Sequence, residues 1–163
     1  MNEVAIREAE AADLERVVEI ALAAWEPYFA WRHSVMGDEM FACFHPDWQA
    51  EKARQIRTAW AAETPGRALV AELKGRVVGF VVYYSDAEAR FGVISNNAVH
   101  PDCQGRGIGP RMYEEVLGRL RADGCRFVKV ETGGDPFHAR ARRAYEKVGF
   151  NLSITGMECY RAL

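Results

Sequence analysis

The residues most suggestive of chemistry form a glycine-rich stretch, QGRGIG at 104–109, between a predicted strand and a predicted helix. Glycine lets the backbone turn sharply and approach a ligand without an intervening Cβ atom. The first N–H groups of a helix lack intrahelical partners and lie at the positive end of its dipole, so this turn predicts a site for an anion such as a phosphate. Pro110 suits the first helical position, and Arg106 and Arg111 add positive charge.

Two common phosphate-binding patterns do not match this stretch. The P-loop pattern G-x-x-x-x-G-K-[ST] is absent from the sequence. Gly105, Gly107 and Gly109 are spaced as G-x-G-x-G rather than G-x-G-x-x-G, and they occur late in the chain, which disfavours a Rossmann dinucleotide site. The glycines by themselves are also compatible with a simple connection between the strand and the helix that binds no ligand.

Two motifs together indicate a family. QGRGIG at 104–109, preceded by AVHP at 98–101, resembles the Q/R-x-x-G-x-G/A signature of the GNAT superfamily of acetyl-CoA-dependent N-acetyltransferases. ARRAYEKVGF at 141–150 resembles the A-x-x-x-Y-E-K-x-G-F segment of the same superfamily. The resemblance covers about residues 67–163, whereas the first helices match only in order and length.

The resemblance implies where acetyl-CoA binds. In the family, backbone amides of the glycine-rich turn bind the pyrophosphate, and the amide at Val99 would bind the acetyl carbonyl and stabilise its developing negative charge. His138 stands where many members carry an asparagine that contacts the pantetheine arm, which is a departure from the family pattern. The implied cofactor contacts are Ala98, Val99, Gln104, Gly105, Arg106, Gly107, Ile108, Gly109, Arg111 and His138.

Catalytic roles follow from the same resemblance. Tyr145 is implied as the general acid, because a phenol can protonate the departing thiolate; the alternative is an aromatic that packs in the core. The acceptor amine must lose a proton, and Glu131, at the end of a predicted strand, is the first candidate base. His100 is a weaker candidate, water is a third, and a solvated strand-end role for Glu131 stays open.

Two further groups of side chains have two interpretations each. Arg140, Arg142 and Arg143 are either a solvated helix face or a contact with the phosphates of coenzyme A. A run of aromatics either walls the acceptor site or packs between two helices, and it comprises Trp25, Tyr28, Phe29, Trp31, Phe41, Phe44 and Trp48.

These residues require an α/β fold to position them. We predict a mixed central sheet of about six to seven strands with about four helices, whose two central parallel strands, at 91–99 and 126–131, splay apart to admit the cofactor. Asn96 and Asn97 fit a strand interior poorly and predict a bulge; the alternative is a pair of asparagine side chains with hydrogen-bond partners at a strand end. Pro27 is expected to end or kink the first helix, and the segments at 149–154 and 157–163 are predicted as a final pair of strands.

Length and composition limit the class of protein. The chain has 163 residues, 49% hydrophobic and 27% charged, so we expect one globular domain over 1–163. A net charge of −2 argues against a nucleic-acid partner, and no apolar run is long enough to cross a membrane. The four cysteines lack the spacing of metal ligands, so we expect no metal. Free cysteines and an N-terminus unlike a signal peptide favour a cytoplasmic protein.

The sequence thus predicts an N-acetyltransferase that transfers the acetyl group of acetyl-CoA to a primary amine of a small molecule or peptide by direct attack. Two alternatives stay open: a non-catalytic module that binds coenzyme A or acyl-CoA, and an acyltransferase with a longer acyl group. A homodimer is compatible with the family, although no residue pattern indicates an interface.

Overall fold

The structure is a computed structural model that describes residues 4–63 and 67–162. Its strands are β1 (Ala5–Glu8), β2 (Ala68–Leu73), β3 (Arg76–Asp86), β4 (Phe91–Val99) and β5 (Phe127–Val130). Its α-helices are α1 (Leu14–Met36), α2 (Asp38–Phe44), α3 (Trp48–Glu63), α4 (Ile108–Ala122) and α5 (Ala139–Lys147). Four of these helices were predicted, and the short α2 was not.

The sheet is mixed, with the strands in the order β1-β2-β3-β4-β5. The first four strands pair antiparallel, and β4 pairs parallel with β5 over Phe91–Ile94 and Phe127–Val130. This parallel pairing was predicted, since α4 supplies a crossover long enough to connect the two strands. The pairing ends at Ile94, so Ser95–Val99 have no described partner on the β5 side.

The prediction of six to seven strands is wrong, because the described residues form five. The segments at 149–154 and 157–163 were predicted as strands, but residues 151–162 have no regular secondary structure, and Leu163 lies outside the described residues. A strand requires a neighbouring edge for its backbone hydrogen bonds. This segment is instead held through side chains: Glu158 accepts a hydrogen bond of 2.7 Å from Arg32 of α1, and Tyr160 also contacts Arg32.

Helices cover both faces of the sheet. On one face α4 packs with Ile108, Met112, Val116 and Leu120, and Tyr145 of α5 joins the same cluster. On the other face α1 and α3 pack through residues that include Val17, Ile20, Ile56 and Trp60. Because β3 lies between these layers, seven successive residues of this strand are buried, which explains its continuous hydrophobic run.

Two local predictions have different outcomes. The bulge predicted at Asn96 and Asn97 is confirmed: between the pairs Val81–Asn97 and Tyr83–Ile94, β4 carries one more residue than β3. Of the two outcomes predicted for Pro27, an end of the first helix is wrong, because α1 continues through it to Met36, and a kink stays a prediction. Pro27 is exposed, so water can satisfy the carbonyl that loses its helical partner.

No helix in the described ranges is both long and apolar enough to cross a membrane.

Candidate active site

A cavity of about 720 Å³ lies where β4, the end of β5, α1, α4 and α5 converge. Its wall includes residues of β4 beyond the last β4–β5 pair and the segment that follows β5. Ten of the residues predicted from the sequence line it: Ala98, Val99, Gln104, Gly105, Gly107, Ile108, Gly109, Glu131, His138 and Tyr145. The fold therefore brings together most of the predicted site, from three separate parts of the chain.

The glycine-rich turn has the geometry of an anion site. Gly105 and Gly107 have φ angles of 79° and 76°, in the left-handed region that favours glycine. The helix begins at Ile108, so Pro110 is its third residue and not its first as expected. The five amide N–H groups of residues 105–109 donate to no group in the described part of the chain. Unpartnered donors at a helix start can bind a phosphate.

Hydrogen bonds from side chains hold this turn in place, and arginines add positive charge near it. Gln104 donates from Nε2 to the carbonyl of Val99 at 2.9 Å, and Arg140 donates to Gln104 Oε1 at 2.5 Å. Arg140 and Arg143 line the cavity. Arg106 and Arg111 are exposed and lie outside its lining, so their contact with the cofactor stays a prediction.

The amide of Val99 points to the side of β4 that faces β5. The next amide, of His100, donates to the carbonyl of Val78 in β3 at 2.8 Å. Neighbouring amides of a strand point in opposite directions, so the Val99 N–H points away from β3, toward the region where β4 has no described partner. Val99 lines the cavity, and its N–H has no partner among the described residues.

A buried hydrogen-bonded cluster holds Tyr145. Tyr113 donates to Asn97 Oδ1 at 2.7 Å and Tyr145 donates to the same oxygen at 3.2 Å, with their ring centroids 4.9 Å apart. Asn97 in turn donates to the Ser95 carbonyl at 2.9 Å, which fixes the orientation of its amide. Burial raises the pKa of the Tyr145 phenol above its usual value of 10, so Tyr145 is protonated at neutral pH.

The first candidate base sits at the mouth of the cavity. Glu131 follows the last residue of β5, is exposed, and pairs with Lys129 at 2.9 Å. Both side chains line the cavity, where a carboxylate can reach an incoming amine. His100 lies outside the lining, and its ring accepts a hydrogen bond from the Asp102 amide at 3.3 Å, which leaves Glu131 the better placed of the two.

His138 is held in place by a carboxylate that the sequence analysis did not single out. Its Nδ1 lies 2.5 Å from Asp135 Oδ2, and its ring meets Tyr28 edge to face. Burial raises the pKa of Asp135, but the bonds from the His138 ring and from backbone amides outweigh it and lower that pKa. Gly133 allows this pairing, since a Cβ there would overlap Asp135 and lie 2.6 Å from His138 Nδ1. Arg142 donates to two carbonyls of this loop and lies outside the cavity lining.

The aromatic run at 25–48 divides between the two interpretations. Trp25 and Tyr28 line the cavity, whereas Phe29 stacks on Trp48 with ring centroids 4.4 Å apart and Phe41 stacks on His33. Asn97 and Tyr113 were not predicted from the sequence as members of the Tyr145 cluster. The one sequence signal for this cluster is the position of Tyr113 on the buried face of an amphipathic helix.

The described residues contain no group of three or more His, Cys, Asp or Glu side chains that could hold a metal ion.

Known acetyltransferases resemble this chain in sequence. A family model described as the acetyltransferase (GNAT) family matches residues 33–150. An L-2,4-diaminobutyric acid acetyltransferase of Nocardia farcinica (strain IFM 10152) is 38% identical over 77 residues, 47% of this chain and 40% of that protein. An IAA acetyltransferase of Azospirillum brasilense is 34% identical over 84 residues, 52% of this chain and 54% of that protein.

The chain therefore spans about half the length of these curated relatives or less. Among solved structures, the PaiA N-acetyltransferase of Thermoplasma acidophilum in complex with coenzyme A has a TM-score of 0.71 at 18% identity. That match covers 94% of this chain and 93% of the other, which shows a shared fold. The match of the family model to more than half of the chain, on this fold and with the glycine-rich turn in place, shows that the chain belongs to the acetyltransferase (GNAT) family.

Proposed function

We propose that the protein is an N-acetyltransferase that transfers the acetyl group of acetyl-CoA to a primary amine of a small molecule or peptide. One observation carries the proposal: a single cavity is lined by Tyr145, by Glu131 and by turn residues with unpartnered amides, which are Gly105, Gly107, Ile108 and Gly109. A phosphate-binding turn, a donor and a base in one cleft are what direct transfer between two bound substrates requires.

The residues present fit acetyl-CoA. The amides of residues 105–109 would hold the pyrophosphate, and Arg140 and Arg143 would add charge beside it. The pantetheine arm would lie between Ser95–Val99 and the chain after Val130, which is the splayed pair predicted from the sequence. The complex of the Thermoplasma acidophilum protein with coenzyme A supports this placement through the shared fold.

When bound, acetyl-CoA supplies its acetyl group as a thioester, whose carbonyl carbon forms a bond to the amine nitrogen as the C–S bond breaks. The Val99 N–H donates to the carbonyl oxygen as negative charge develops on it. Glu131, directly or through a water molecule, accepts the proton that the amine loses. The chain thus contributes orientation, one oxyanion donor and one base.

Tyr145 acts on the sulfur as a hydrogen-bond donor. Because burial raises its pKa above 10, and a thiol has a reference pKa of ~8.5, complete transfer of its proton to the thiolate is unfavourable. Donation of a hydrogen bond stabilises the departing thiolate without that transfer. The hydrogen bond from Tyr145 to Asn97 is 3.2 Å long, whereas the bond from Tyr113 to Asn97 is 2.7 Å long. The longer bond is the weaker one, so the Tyr145 hydroxyl can more readily leave Asn97 and donate to the sulfur.

The acceptor side is walled by Trp25 and Tyr28, which suits a small amine. The relative named as an L-2,4-diaminobutyric acid acetyltransferase supports an acceptor of this size. The single domain over 1–163, the cytoplasmic location and the homodimer stay predictions from the sequence.

The proposal is tested by mixing the protein with acetyl-CoA and a panel of small amines and peptides and measuring free thiol, with calorimetry for coenzyme A binding in parallel. We expect amine-dependent thiol release and a matching mass increase of 42 Da on the acceptor, which is the mass of the acetyl group less the hydrogen it replaces. Binding of coenzyme A without release would favour the non-catalytic module, and no binding at all would overturn the proposal. Release only with longer acyl-CoA would identify the alternative acyl donor.

A further inference from the structure

Lys52 is a buried cation without a carboxylate partner. It is 8% exposed, and its ammonium donates to Gln55 Oε1 at 3.0 Å and Asn96 Oδ1 at 3.3 Å and lies 3.7 Å from the centre of the Trp25 ring. Buried charges are usually paired with an opposite charge, yet no acid of the described chain forms an ion pair with Lys52. Burial lowers its pKa to about 8, so it still carries its charge at neutral pH.

Lys52 dictates how two neighbouring amide side chains are oriented. An ammonium has only donors, so Gln55 and Asn96 must both turn their carbonyl oxygens toward it. Their NH₂ groups then point away from the ammonium and have no partner among the described residues. Gln55 and Asn96 both line the cavity, so two hydrogen-bond donors backed by a positive charge are available to a ligand there.

This donor set lies on a different wall from the phosphate turn. Gln55 belongs to α3 and Trp25 to α1, whereas the turn leads from β4 into α4. Gln55, Asn96 and Tyr145 nevertheless line the same cavity, so both sets of groups face one ligand space.

The charge of the cavity wall excludes a polycation at this position. Among the described residues, the only acid in its lining is Glu131, which is already paired with Lys129, while Arg140, Arg143 and Lys147 add further positive charge. A polyamine would find few carboxylates here, whereas an anionic group on the acceptor would find donors and a buried cation.

We propose that the acceptor is a small amine that also carries a carboxylate, such as an amino acid, and that this carboxylate binds to the NH₂ groups of Gln55 and Asn96 in front of Lys52. The inference rests on the proposed function and specifies its substrate class. Lys52 acts as the counter-charge, and the two amides make the direct contacts, so recognition requires the carboxylate and the amine on one molecule.

The test compares three acceptors of similar length with acetyl-CoA: lysine, its carboxamide and the diamine cadaverine. We expect KM for lysine to be about tenfold or more below that for the two compounds without a carboxylate, the discrimination typical of a charge-assisted hydrogen bond. In Lys52→Met this preference should disappear. Lys147→Met, which removes a cation from the same cavity wall, should retain it.

Binding gives a second readout that does not depend on turnover. Calorimetry of lysine and of lysine amide with the protein saturated with coenzyme A should show the same preference, and Lys52→Met should lose it. Equal affinity for the two compounds in the unaltered chain, or a preference unchanged by Lys52→Met, would overturn the inference. Absence of turnover with the binding preference intact would instead count against the proposed function alone.

Discussion

At the residue scale, the site depends on neutral polar side chains that charged or aromatic neighbours orient. Asn97 Oδ1 accepts hydrogen bonds from two tyrosines of different helices, and Asn96 Oδ1 accepts one from Lys52. These two asparagines are consecutive in β4, where the bulge interrupts the regular pairing with β3. Successive side chains of a strand point to opposite faces of the sheet, so Asn96 contacts Lys52 of α3 while Asn97 contacts the tyrosines of α4 and α5.

Substitution of Tyr145 by phenylalanine tests the donor to sulfur. We expect kcat to fall about a hundredfold, since one positioned donor or acid contributes on that order, while the affinity for coenzyme A is unchanged. Steady-state kinetics and calorimetry measure the two effects. Tyr113→Phe is the comparison, because it removes the other hydroxyl on Asn97. An equal loss in both variants, or none in Tyr145→Phe, would show that Tyr145 is not the donor.

The depressed pKa of Lys52 predicts how stability depends on pH. Below about pH 8 the lysine is charged in both folded and unfolded chains, so the cost of burying the charge is fully present. As pH rises from 8 to about 10.5, the folded chain loses this proton first, and the cost, on the order of 3 kcal/mol, is relieved.

Lys52→Met should therefore be more stable than the unaltered chain at pH 7, with the advantage shrinking toward pH 10.5. Urea unfolding of both proteins across this range measures the difference, in which all other titrating groups cancel. If the free energies of unfolding of the two proteins differed by the same amount at every pH, the pKa of Lys52 would not be lowered.

At the element scale, the glycine-rich turn, Glu131 and His138 lie at the ends of elements, whereas Tyr145 lies within α5. The phosphate turn joins β4 to α4, Glu131 follows β5, and His138 precedes α5. Element ends leave backbone donors and acceptors without regular partners, so they can bind a ligand while the elements stay rigid.

Substitution of two glycines tests the function of the turn and the stability of α4 independently. Gly107→Ala forces a side chain into a φ of 76° and should cost about 1–2 kcal/mol and weaken coenzyme A binding, because the free amides shift. Gly118→Ala lies within α4, where an added Cβ meets no atom, and should raise stability by about 0.5–1 kcal/mol with unchanged binding. Thermal unfolding and calorimetry measure both. Unaltered binding in Gly107→Ala would contradict the role of the turn.

At the scale of the whole molecule, the sheet separates two hydrophobic clusters that support different parts of the site. The cluster under α4 and α5 contains Tyr113 and Tyr145, and the cluster under α1 and α3 packs against Trp25. The proposed cofactor and acceptor sides of the cavity thus rest on separate cores that share one sheet. The C-terminal segment contributes to neither cluster, and Leu152 is 86% exposed.

Two leucine substitutions test this division between core and surface. Leu120→Ala empties a site in the α4 cluster, where the residue is 2% exposed, and should cost about 2–5 kcal/mol. Leu152→Ala should change the free energy of unfolding by less than about 0.5 kcal/mol. Denaturant unfolding compares the two. A cost above about 2 kcal/mol for Leu152→Ala would mean that the C-terminal segment packs as a strand after all.

The sequence by itself determined the features that depend on short stretches of chain. The turn at 104–109 follows from glycines that accept positive φ angles, and the bulge from two asparagines that fit a strand poorly. Four helices and the parallel pairing of β4 with β5 follow from hydrophobic periodicity and from the length of the connection. These are local properties, because the residues that cause them are close together in the chain.

Only the tertiary structure decided the contacts between distant residues. Lys52 meets Asn96 across 44 positions, and Tyr145 meets Asn97 across 48, so no local pattern reveals either contact. The C-terminal segment alternates like a strand, yet a strand forms only where a sheet edge accepts its backbone, and here side chains bound to Arg32 hold it instead. Hydrogen bonds depend on distances in space, and the chain sets those distances only when the whole sheet and its helices are packed.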